Sequence, residues 1–296
     1  MKTGFVGIVG RPNVGKSTLM NSILGEKVAI TTNKAQTTRN TIKGIYTKPD
    51  ECQMVFIDTP GVHKPKNKLG QYMTDIAIGS LKEVDVIIFI VDSPVQERAG
   101  GDKFILEKLK VIDTPKILVI NKIDKLEPDV FEQIYKDYES MGLFKAIIGT
   151  NALEGKNTDV LINTLINFLE EGPQYFPEDM ITDNPMRFLV SEIIREKLLM
   201  YLDEEVPHGV AVEIERYEEL NNLTKIYATI YCEKQTHKSI IIGKGGKKIK
   251  GIGKSAREEI ENLVGTKVYL ETFVKVKEGW RDSVIAISNF GYKNEN

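Results

Sequence analysis

The sequence predicts an α/β domain with a mostly parallel sheet, followed by a smaller α+β domain. Strand-like apolar runs and helix-like patterns alternate over residues 3–170, which is typical of a parallel sheet with intervening helices. The stretch 170–185 is rich in proline, glycine and acids and has no hydrophobic period, which indicates a connection between domains. Helix, two strands, two helices and a strand follow. We expect these divisions: first domain 1–170, linker 171–184, second domain 185–296 with a core at about 201–279.

Composition is that of a soluble two-domain protein. The chain has 296 residues, of which 41% are hydrophobic and 28% charged, both ordinary values for globular domains. Cys52 and Cys232 are far apart and in no metal-ligand spacing, which favours a reducing compartment. No signal peptide is recognised, and the apolar run Val86–Val91 is too short to span a bilayer. We therefore expect a cytoplasmic protein without a transmembrane segment, whose only membrane contact is peripheral.

The first apolar run leads into a glycine-bounded loop. Residues Gly10 to Ser17 fit the phosphate-loop pattern G-x-x-x-x-G-K-S/T. Such a loop turns its backbone N–H groups toward a polyphosphate at a helix N-terminus. Lys16 is expected to reach the β- and γ-phosphates, and the Ser17 hydroxyl to bind Mg²⁺. The predicted nucleotide-binding residues of this loop are Gly10, Arg11, Pro12, Asn13, Val14, Gly15, Lys16, Ser17 and Thr18.

A second predicted phosphate-side motif is Asp58-Thr59-Pro60-Gly61. It follows the strand-like run Gln53 to Ile57, which we expect to pair with the preceding strand, Ile42 to Thr47. An acid at the end of a buried strand, near a phosphate loop, is well placed to hold Mg²⁺ through water. The Gly61 N–H is expected to reach the γ-phosphate. Alone, this tetrapeptide is a common turn composition, so its meaning depends on the phosphate loop before it.

Two later motifs predict recognition of guanine. Asn121-Lys122-Ile123-Asp124 follows a strand-like run, and the Asp124 carboxylate can accept hydrogen bonds from both N1–H and the 2-amino group of guanine. Adenine lacks this donor pair, so a buried aspartate would be left unpaired. The later loop contains Asn151 and Ala152, where the Ala152 N–H is expected near the guanine carbonyl.

These motifs, in this order, resemble the Ras-like P-loop GTPases of the translation-factor type over residues 3–170. The resemblance implies that the loop around Thr37-Thr38 is the first switch and that the second begins at Asp58. It assigns Mg²⁺ binding in the GTP state to Thr38, with Thr37 as the open alternative. The implied catalytic groups are Lys16, Thr38 and Gly61, and the implied metal ligands are Ser17, Thr38 and Asp58.

Two features of the motifs bear on the rate of hydrolysis. Val62 stands where Ras-like GTPases have a water-orienting glutamine, and a valine side chain makes no hydrogen bonds. We therefore expect slow intrinsic hydrolysis that is stimulated by RNA or an ion. In some GTPases with the G-R-P-N-x-G-K-S string the asparagine binds K⁺. Asn13 is thus a candidate K⁺ ligand, with a simple loop hydrogen bond as the equal alternative.

The second domain contains a basic glycine loop. Between His237 and Arg257 there are seven Lys/Arg residues and no Asp or Glu, which favours a polyanion partner. The I-I-G-K-G-G string separates two helix-like stretches and resembles the type II KH module, whose loop clamps about four nucleotides of single-stranded nucleic acid. The predicted RNA-binding residues are Ile242, Gly243, Lys244, Gly245, Gly246, Lys247, Lys248 and Lys250.

One GTPase domain followed by one KH domain resembles the Era family over the full chain. The resemblance implies an RNA-binding GTPase that binds GTP and GDP with Mg²⁺ and assists assembly and maturation of the small (30S) ribosomal subunit. Its implied RNA is 16S rRNA near the 3′ end, and its implied location includes peripheral contact with the inner membrane. Two other functions stay open: an RNA clamp whose nucleotide site is purely structural, and a peripheral membrane regulator whose basic helix faces anionic lipid.

Three local expectations concern the second domain. Asn184 is expected to be the N-cap of a helix with Pro185 in its first position. The strands Val210–Tyr217 and Thr224–Tyr231 are expected to be joined by a polar turn at 218–222. The polar end of the chain, 289–296, is expected to be frayed.

Overall fold

The computed structural model describes residues 1–93 and 101–292. The chain divides into two compact units, residues 1–66 with 70–183 and residues 67–69 with 184–296. No helix of the described ranges is long and apolar enough to cross a membrane.

The first unit is built on a seven-stranded sheet. Its strands are β1 (Lys2–Gly10), β2 (Ile42–Lys48), β3 (Cys52–Asp58), β4 (Val86–Val91), β5 (Lys116–Asn121), β6 (Ala146–Thr150) and β7 (Glu170–Glu171). Their order is β2-β3-β1-β4-β5-β6, with β7 on β1. The pairs formed by β1, β3, β4, β5 and β6 are parallel, whereas β2 runs antiparallel to β3 and β7 antiparallel to β1. The predicted α/β class and the predicted β2–β3 pair are therefore confirmed.

Five helices flank this sheet in sequence: α1 (Lys16–Leu24), α2 (Lys68–Gly79), α3 (Gly101–Leu109), α4 (Pro128–Glu139) and α5 (Thr158–Ile166). The central strands are buried on both faces, and every residue of β4 and β5 is buried. This burial explains why they read as continuous apolar runs rather than as alternating ones. The apolar core lies between strands and helices, where the Phe89 ring is 6.0 Å from those of Tyr138 and Phe144.

The segment after α5 lies along the sheet of the first unit. The backbone N–H of Ile45 in β2 donates to the Ile181 carbonyl at 2.7 Å. Upstream, the Gln53 Oε1 accepts hydrogen bonds from the backbone N–H groups of Tyr175 and Phe176. Residues that were predicted as a linker thus use main-chain and side-chain groups of β2 and β3 as partners.

The second unit has three helices against one face of a three-stranded sheet, and a short C-terminal helix. The elements in chain order are α6 (Met186–Tyr201), β8 (Ala211–Leu220), β9 (Leu223–Cys232), α7 (Gln235–Ile242), α8 (Lys247–Val264), β10 (Lys267–Val276) and α9 (Val284–Asn289). Strand β9 is central, antiparallel to β8 and parallel to β10. Its inward side chains Ile226, Ala228 and Ile230 are fully buried. The predicted helix–strand–strand–helix–helix–strand order is confirmed.

Three local expectations for this unit were wrong. Pro185 is the N-cap of α6 in an extended conformation, so the helix begins one residue later than predicted. Residues Glu218–Leu220 continue β8, because pairing extends to Leu220 opposite Leu223. The chain end is packed as far as it is described: Tyr292 is buried, with its ring stacked 6.2 Å from that of Trp280. The rest of the predicted frayed tail, 293–296, lies outside the described residues.

Candidate nucleotide and nucleic-acid sites

The sequence-predicted nucleotide residues converge on one cavity of about 230 Å³ in the first unit. It lies at the carboxyl ends of the parallel strands, where ligands of open α/β sheets are bound. Among the predicted residues, those that line it are Pro12, Asn13, Gly15, Lys16, Ser17, Thr18, Thr38, Gly61, Asn121, Lys122, Asp124, Asn151 and Ala152. The predicted Gly10, Arg11, Val14, Asp58, Thr59 and Pro60 do not line it.

The phosphate loop needs glycine at position 15, directly before Lys16. Gly15 has φ 105°, and a Cβ there would lie 2.2 Å from the Asn121 Nδ2. A positive φ of this kind is strained for residues other than glycine. The Gly15 backbone also lies so close to the Asn121 side-chain amide that no side chain would fit between them. The loop is therefore shaped by the strand that carries the guanine motif.

Asn121, at the end of β5, links the phosphate loop to the loop that follows β6. Its Nδ2 donates to the Val14 carbonyl at 2.8 Å, and its Oδ1 accepts from the Ala152 N–H at 3.0 Å and from the Thr150 hydroxyl at 3.1 Å. Asn121 is 2% exposed. Both polar side-chain atoms of Asn121 are thus bonded to protein atoms, and the residue links the two loops by hydrogen bonds.

The three predicted metal ligands lie together. The Ser17 Oγ is 2.5 Å from the Asp58 Oδ2 and 2.9 Å from the Thr38 Oγ1, and the Thr38 Oγ1 is 3.4 Å from the same carboxylate oxygen. The other oxygen, Asp58 Oδ1, is buried without a hydrogen-bond partner among the described residues. Burial raises the pKa of Asp58 to about 6, against the lowering effect of Lys16 and of the Ser17 and Thr38 hydroxyls.

Thr37 points to other partners. Its Oγ1 donates to the Lys34 carbonyl at 2.7 Å and lies 2.7 Å from the Thr32 Oγ1. Its hydroxyl therefore belongs to the internal bonding of the loop, whereas the adjacent Thr38 hydroxyl reaches Ser17 and Asp58.

Lys16 is held within its own loop. Its Nζ donates to the Arg11 carbonyl at 2.9 Å, and the residue is 6% exposed. Burial lowers the pKa of Lys16 to about 8, partly opposed by the negative charge of Asp58. The ammonium group is thus positioned at the wall of the cavity before any phosphate contacts it.

Several predicted nucleotide residues are structural in this geometry. The Arg11 guanidinium points away from the cavity into a buried cluster with Asp92, Ser93 and Asp102. The Thr59 hydroxyl donates to the Ile8 carbonyl at 2.7 Å. Both side chains therefore bind protein groups and hold the loops in place.

The base side of the cavity differs in detail from the sequence argument. Asp124 is exposed at the cavity wall rather than buried, so its discrimination against adenine depends on a base that covers it. Asn151 caps its own loop, since its Oδ1 accepts from the N–H groups of Leu153 and Glu154 at 3.1 and 3.4 Å.

Sequence reasoning missed part of the cavity lining. The lining residues that were not predicted are Ile30, Thr31, Thr32, Asn33, Gln36, Lys125 and Leu153. Thr37, the open alternative to Thr38, also lines the cavity. Most of the unpredicted residues lie in the loop 29–39, which the resemblance identified as the first switch without giving them a role. Asn33 is joined to the phosphate loop, because the Asn13 Nδ2 donates to its carbonyl at 2.9 Å.

The glycine loop of the second unit forms a tight break between α7 and α8. Gly243, Gly245 and Gly246 have φ of 71°, 59° and 73°. A Cβ on Gly243 would lie 2.7 Å from the Lys248 Cβ, whereas Gly245 and Gly246 face open space within 4 Å. Gly243 is therefore required for the turn itself, and the other two leave the backbone accessible.

Positive charge surrounds this open backbone. Lys244, Lys247 and Lys250 are exposed, and the helix that follows begins at Lys247 without a side-chain cap. The helix N-terminus adds positive potential. Ile242 and Lys248 are half-buried beside the loop. This combination suits a phosphate backbone that approaches closely.

Neither site contains a grouping of three metal-binding His, Cys, Asp or Glu residues among the described residues. A cluster of two hydroxyls and one carboxylate, as at Ser17, Thr38 and Asp58, is of a different kind. Its all-oxygen donor set suits a hard cation such as Mg²⁺.

Comparisons with known proteins match both units. A family model described as "50S ribosome-binding GTPase" matches residues 5–122, and one described as "KH domain" matches residues 205–281. GTPase Era of Alkaliphilus oremlandii is 58% identical over 293 residues, covering 98% of this chain and 99% of the relative. GTPase Era of Clostridioides difficile is 55% identical over 297 residues, covering 99% of each chain.

Two solved structures share the architecture of the whole chain. One is a single-residue variant of Era from Aquifex aeolicus bound to GDP.AlF4⁻, with a TM-score of 0.94 and 43% identity. The other is Era in complex with MgGDPNP and nucleotides 1506–1542 of 16S ribosomal RNA, with a TM-score of 0.94 and 44% identity. In both cases the match covers 99% of this chain and 99% of the other.

Proposed function

The chain belongs to the family of Era GTPases, and from that premise we propose that it is a GTP-hydrolysing switch that binds 16S rRNA near its 3′ end. In this role it assists assembly and maturation of the small ribosomal subunit. The observation that carries the proposal is the presence, in one chain, of a phosphate loop joined to a guanine-side loop through Asn121 and of an open basic glycine loop. The division into residues 1–170, 171–184 and 185–296 stays a prediction.

Guanine recognition is assigned to Asp124 with Ala152. Both line the cavity, but the Ala152 N–H donates to the Asn121 Oδ1 at 3.0 Å, so it reaches the guanine carbonyl only by exchanging that hydrogen bond. Asp124→Asn is expected to shift preference from guanosine to xanthosine nucleotides, because an amide replaces one acceptor with a donor. Competition between GDP and XDP for the purified protein tests this, and an unchanged preference for GDP contradicts it.

Mg²⁺ fits the oxygen cluster of Ser17, Thr38 and Asp58. Asp58 Oδ1 has no hydrogen-bond partner in the part of the chain that the structure describes, and the two hydroxyls approach the other carboxylate oxygen closely. A cation with oxygen ligands would need this arrangement. Thr38 is favoured over Thr37, whose hydroxyl is committed to Thr32 and Lys34. When bound, Mg²⁺ neutralises charge on the β- and γ-phosphates. Lys16 and Gly61 both line the cavity, which supports the proposal that the Lys16 ammonium group and the Gly61 N–H contact the γ-phosphate.

Intrinsic hydrolysis is proposed to be slow and stimulated by RNA or an ion. Val62 is 0% exposed and is part of the apolar core, so it neither reaches nor orients an attacking water. Slow GTPases of this kind turn over at about 10⁻⁴ s⁻¹ without a partner. Turnover measured with and without 16S 3′-end RNA tests the stimulation.

Binding of K⁺ at Asn13 is a finer proposal. Asn13 is exposed at the cavity, but its Nδ2 is used by the Asn33 carbonyl, which leaves Oδ1 as the atom for a cation. Hydrolysis in KCl is then expected to exceed that in NaCl at equal ionic strength. Equal rates would assign Asn13 to its loop hydrogen bond alone.

RNA binding is assigned to the glycine loop at Gly243–Gly246 and its lysines. The similar Era structure that holds 16S RNA nucleotides 1506–1542 supports this RNA as the partner. Binding of a 16S 3′-end oligonucleotide is expected to exceed that of a scrambled sequence of equal length. Equal affinity would reduce the site to a nonspecific phosphate clamp.

The two sites are proposed to be coupled. GTP is expected to order both switches through Thr38 and Gly61, and binding linkage requires RNA to bias the nucleotide state in return. RNA affinity measured with GDP and with a non-hydrolysable GTP analogue tests the coupling. Identical RNA affinities with the two nucleotides would show that RNA binding is not coupled to the nucleotide state.

A cytoplasmic location with peripheral contact at the inner membrane is proposed from the family resemblance. Exposed lysines on the first turn of α8 are the feature that anionic lipid would use. Liposome flotation and RNA filter binding at matched salt compare the two surfaces. Flotation that is abolished by saturating RNA would favour a lipid role for the same lysines, and the absence of flotation would restrict them to RNA.

A further inference from the structure

A buried ion-pair cluster lies behind the nucleotide cavity. Asp92 directly follows β4, and its two carboxylate oxygens face different loops. Oδ1 accepts from the Arg11 Nη2 of the phosphate loop at 3.1 Å, and Oδ2 accepts from the Lys122 Nζ of the guanine motif at 2.8 Å. The Asp92 and Arg11 side chains are 5% and 9% exposed, so this pair interacts with little screening by water, whereas the Lys122 side chain is 33% exposed and its pair with Asp92 is screened more.

The two cations are fixed at several points. The Arg11 Nε donates to the Asp102 Oδ1 at 2.7 Å and the Nη2 to the Ser93 Oγ at 3.0 Å. The Lys122 Nζ also donates to the Asn13 carbonyl at 2.6 Å. Lys122 is therefore held against the phosphate loop by one carboxylate and one carbonyl. The Lys122 ammonium group is bonded to protein atoms, and the residue lines the cavity with its aliphatic chain.

Asp92 is the common partner of Arg11, in the phosphate loop, and Lys122, in the guanine motif. Arg11 also sets the catalytic lysine, because its carbonyl accepts the hydrogen bond from Lys16. A change at Asp92 would thus disturb both halves of the cavity, although Asp92 does not line it.

We propose that Asp92 is a positioning residue for guanine nucleotides: by bridging Arg11 and Lys122 it fixes the guanine-side loop against the phosphate loop and so controls how fast nucleotide is released. The proposal deepens the proposed GTP site and rests on it. Changes in affinity among related complexes appear mainly in the dissociation rate, so loosening the two loops around a bound nucleotide is expected to speed its release. Asp92 touches no phosphate, so its effect on the hydrolytic step is expected to be small.

The test is Asp92→Asn, which keeps the size of the side chain and removes its charge. Release of a fluorescent GDP analogue is expected to be about 30-fold faster. In multiple-turnover hydrolysis the KM for GTP is expected to rise by a similar factor, while kcat falls less than about threefold. A general loss of folded protein would instead lower kcat and leave KM unchanged, and this outcome would overturn the proposal.

The matched control is Asp102→Asn. It removes the other carboxylate on the same guanidinium, at a residue that is 1% exposed, but leaves the contact between Asp92 and Lys122. Its GDP release is expected to stay within about threefold of wild type. Equal acceleration in both variants would mean that the cluster only supports the fold, and would overturn a specific role for Asp92.

A double-mutant cycle tests the link to Lys122. If Asp92 acts through Lys122, the effects of Asp92→Asn and Lys122→Met on GDP release are expected to be far from additive, and additive effects would contradict the proposal. Asp92→Glu replaces Asp92→Asn if the latter does not fold, and is expected to give a smaller acceleration in the same direction. Wild-type protein that fails to bind GDP would refute the proposed function itself, whereas normal binding with an unaltered Asp92 variant would refute only this inference.

Discussion

Two glycine loops precede helices in this protein, and they present positive charge in opposite ways. Lys16 of the phosphate loop is 6% exposed and donates inward to a carbonyl of its own loop. Lys244, Lys247 and Lys250 of the second loop are exposed. A buried, bonded ammonium group occupies one position and suits a ligand of fixed shape. Exposed lysines adapt to a flexible chain, but their phosphate contacts are weakened by salt.

The glycines of the two loops also differ in how closely they are packed. Gly15 is packed against Asn121, whereas Gly245 has no heavy atom near the position of a Cβ. Glycine in the first loop therefore creates a packed junction, and glycine in the second keeps a surface open. Similar glycine patterns thus support either preorganised binding or adaptable binding, and the same substitution is expected to have different consequences in the two loops.

The largest effect is expected from Gly15→Ala. The new methyl would meet the Asn121 Nδ2 at 2.2 Å with φ at 105°, so it must displace the residue that joins the phosphate loop to Ala152. Loss of GDP affinity by at least about a thousandfold is expected, since about 4 kcal/mol of binding free energy corresponds to that factor. Calorimetric titration with GDP measures it, with RNA binding as the control. GDP affinity within tenfold of wild type would show that the junction is adaptable.

The next effect concerns the exposed lysines. Replacing Lys244, Lys247 and Lys250 with glutamine is expected to lower the slope of log affinity against log salt by about 2, from three contacts at about 0.7 each. At 0.1 M salt that is about a hundredfold weaker RNA binding. Filter binding over a salt series measures the slope.

A charge-matched control tests whether position matters. Lys225, Lys267 and Lys275 lie on the sheet of the same unit, away from the glycine loop in sequence. Their replacement with glutamine is expected to change the salt slope by less than about 0.5. A slope change as large as that of the loop variant would indicate general charge attraction rather than a clamp.

The third effect is on pH dependence, which separates the buried site from the exposed one. Burial raises the pKa of Asp58 to about 6, and the carboxyl must be ionised to hold Mg²⁺. The Mg²⁺ concentration for half-maximal GDP binding is therefore expected to rise about tenfold for each pH unit below 6. RNA affinity is expected to change less than twofold from pH 7.5 to 5.5, because the glycine loop and the helix start after it, residues 243–254, contain no Asp, Glu or His.

The raised pKa of Asp58 also has a consequence for folding. Its ordinary value is 3.8, so the folded protein holds the proton to higher pH than the unfolded chain does. The stabilisation is full below pH 3.8 and is lost as the pH rises through about 6. Urea unfolding of the nucleotide-free protein at pH 4 to 7 measures this term, with Asp58→Asn as the control. A pH-independent difference between the two proteins would contradict burial of an ionising carboxyl.

The strands and the loops that carry the motifs could be predicted from the sequence because their signals are local. Val86–Val91 is apolar throughout, since β4 is covered on both faces. The strand expected after the two helices of the second domain is β10, Lys267–Val276. The motifs follow these strands directly, so the parallel order of strands brings them to one edge.

What the sequence did not show depends on contacts between distant segments. Asp92 is separated from Arg11 by 81 residues and stands in an ordinary turn, so nothing local marks it as a bridge. Asp124 was assumed to be buried, but its exposure is set by surrounding loops. Tyr292 looked like part of a polar tail, and it is buried because its ring stacks on Trp280.

The smallest effect is expected from Gly245→Ala, the counterpart of the first substitution. Its φ of 59° lies in the left-handed region, where alanine costs about 1–2 kcal/mol, but no atom lies within 4 Å of the new methyl. Stability is therefore expected to fall by about that amount, with GDP affinity unchanged. RNA affinity is expected to fall by about three- to tenfold, because the methyl keeps a phosphate backbone from its closest approach.

Gly243→Ala gives the contrast, since its methyl would meet the Lys248 Cβ at 2.7 Å and disturb the turn itself. If Gly245→Ala weakened RNA binding as much as Gly243→Ala, the second loop would be a packed junction like the first, and the distinction between the two loops would fail.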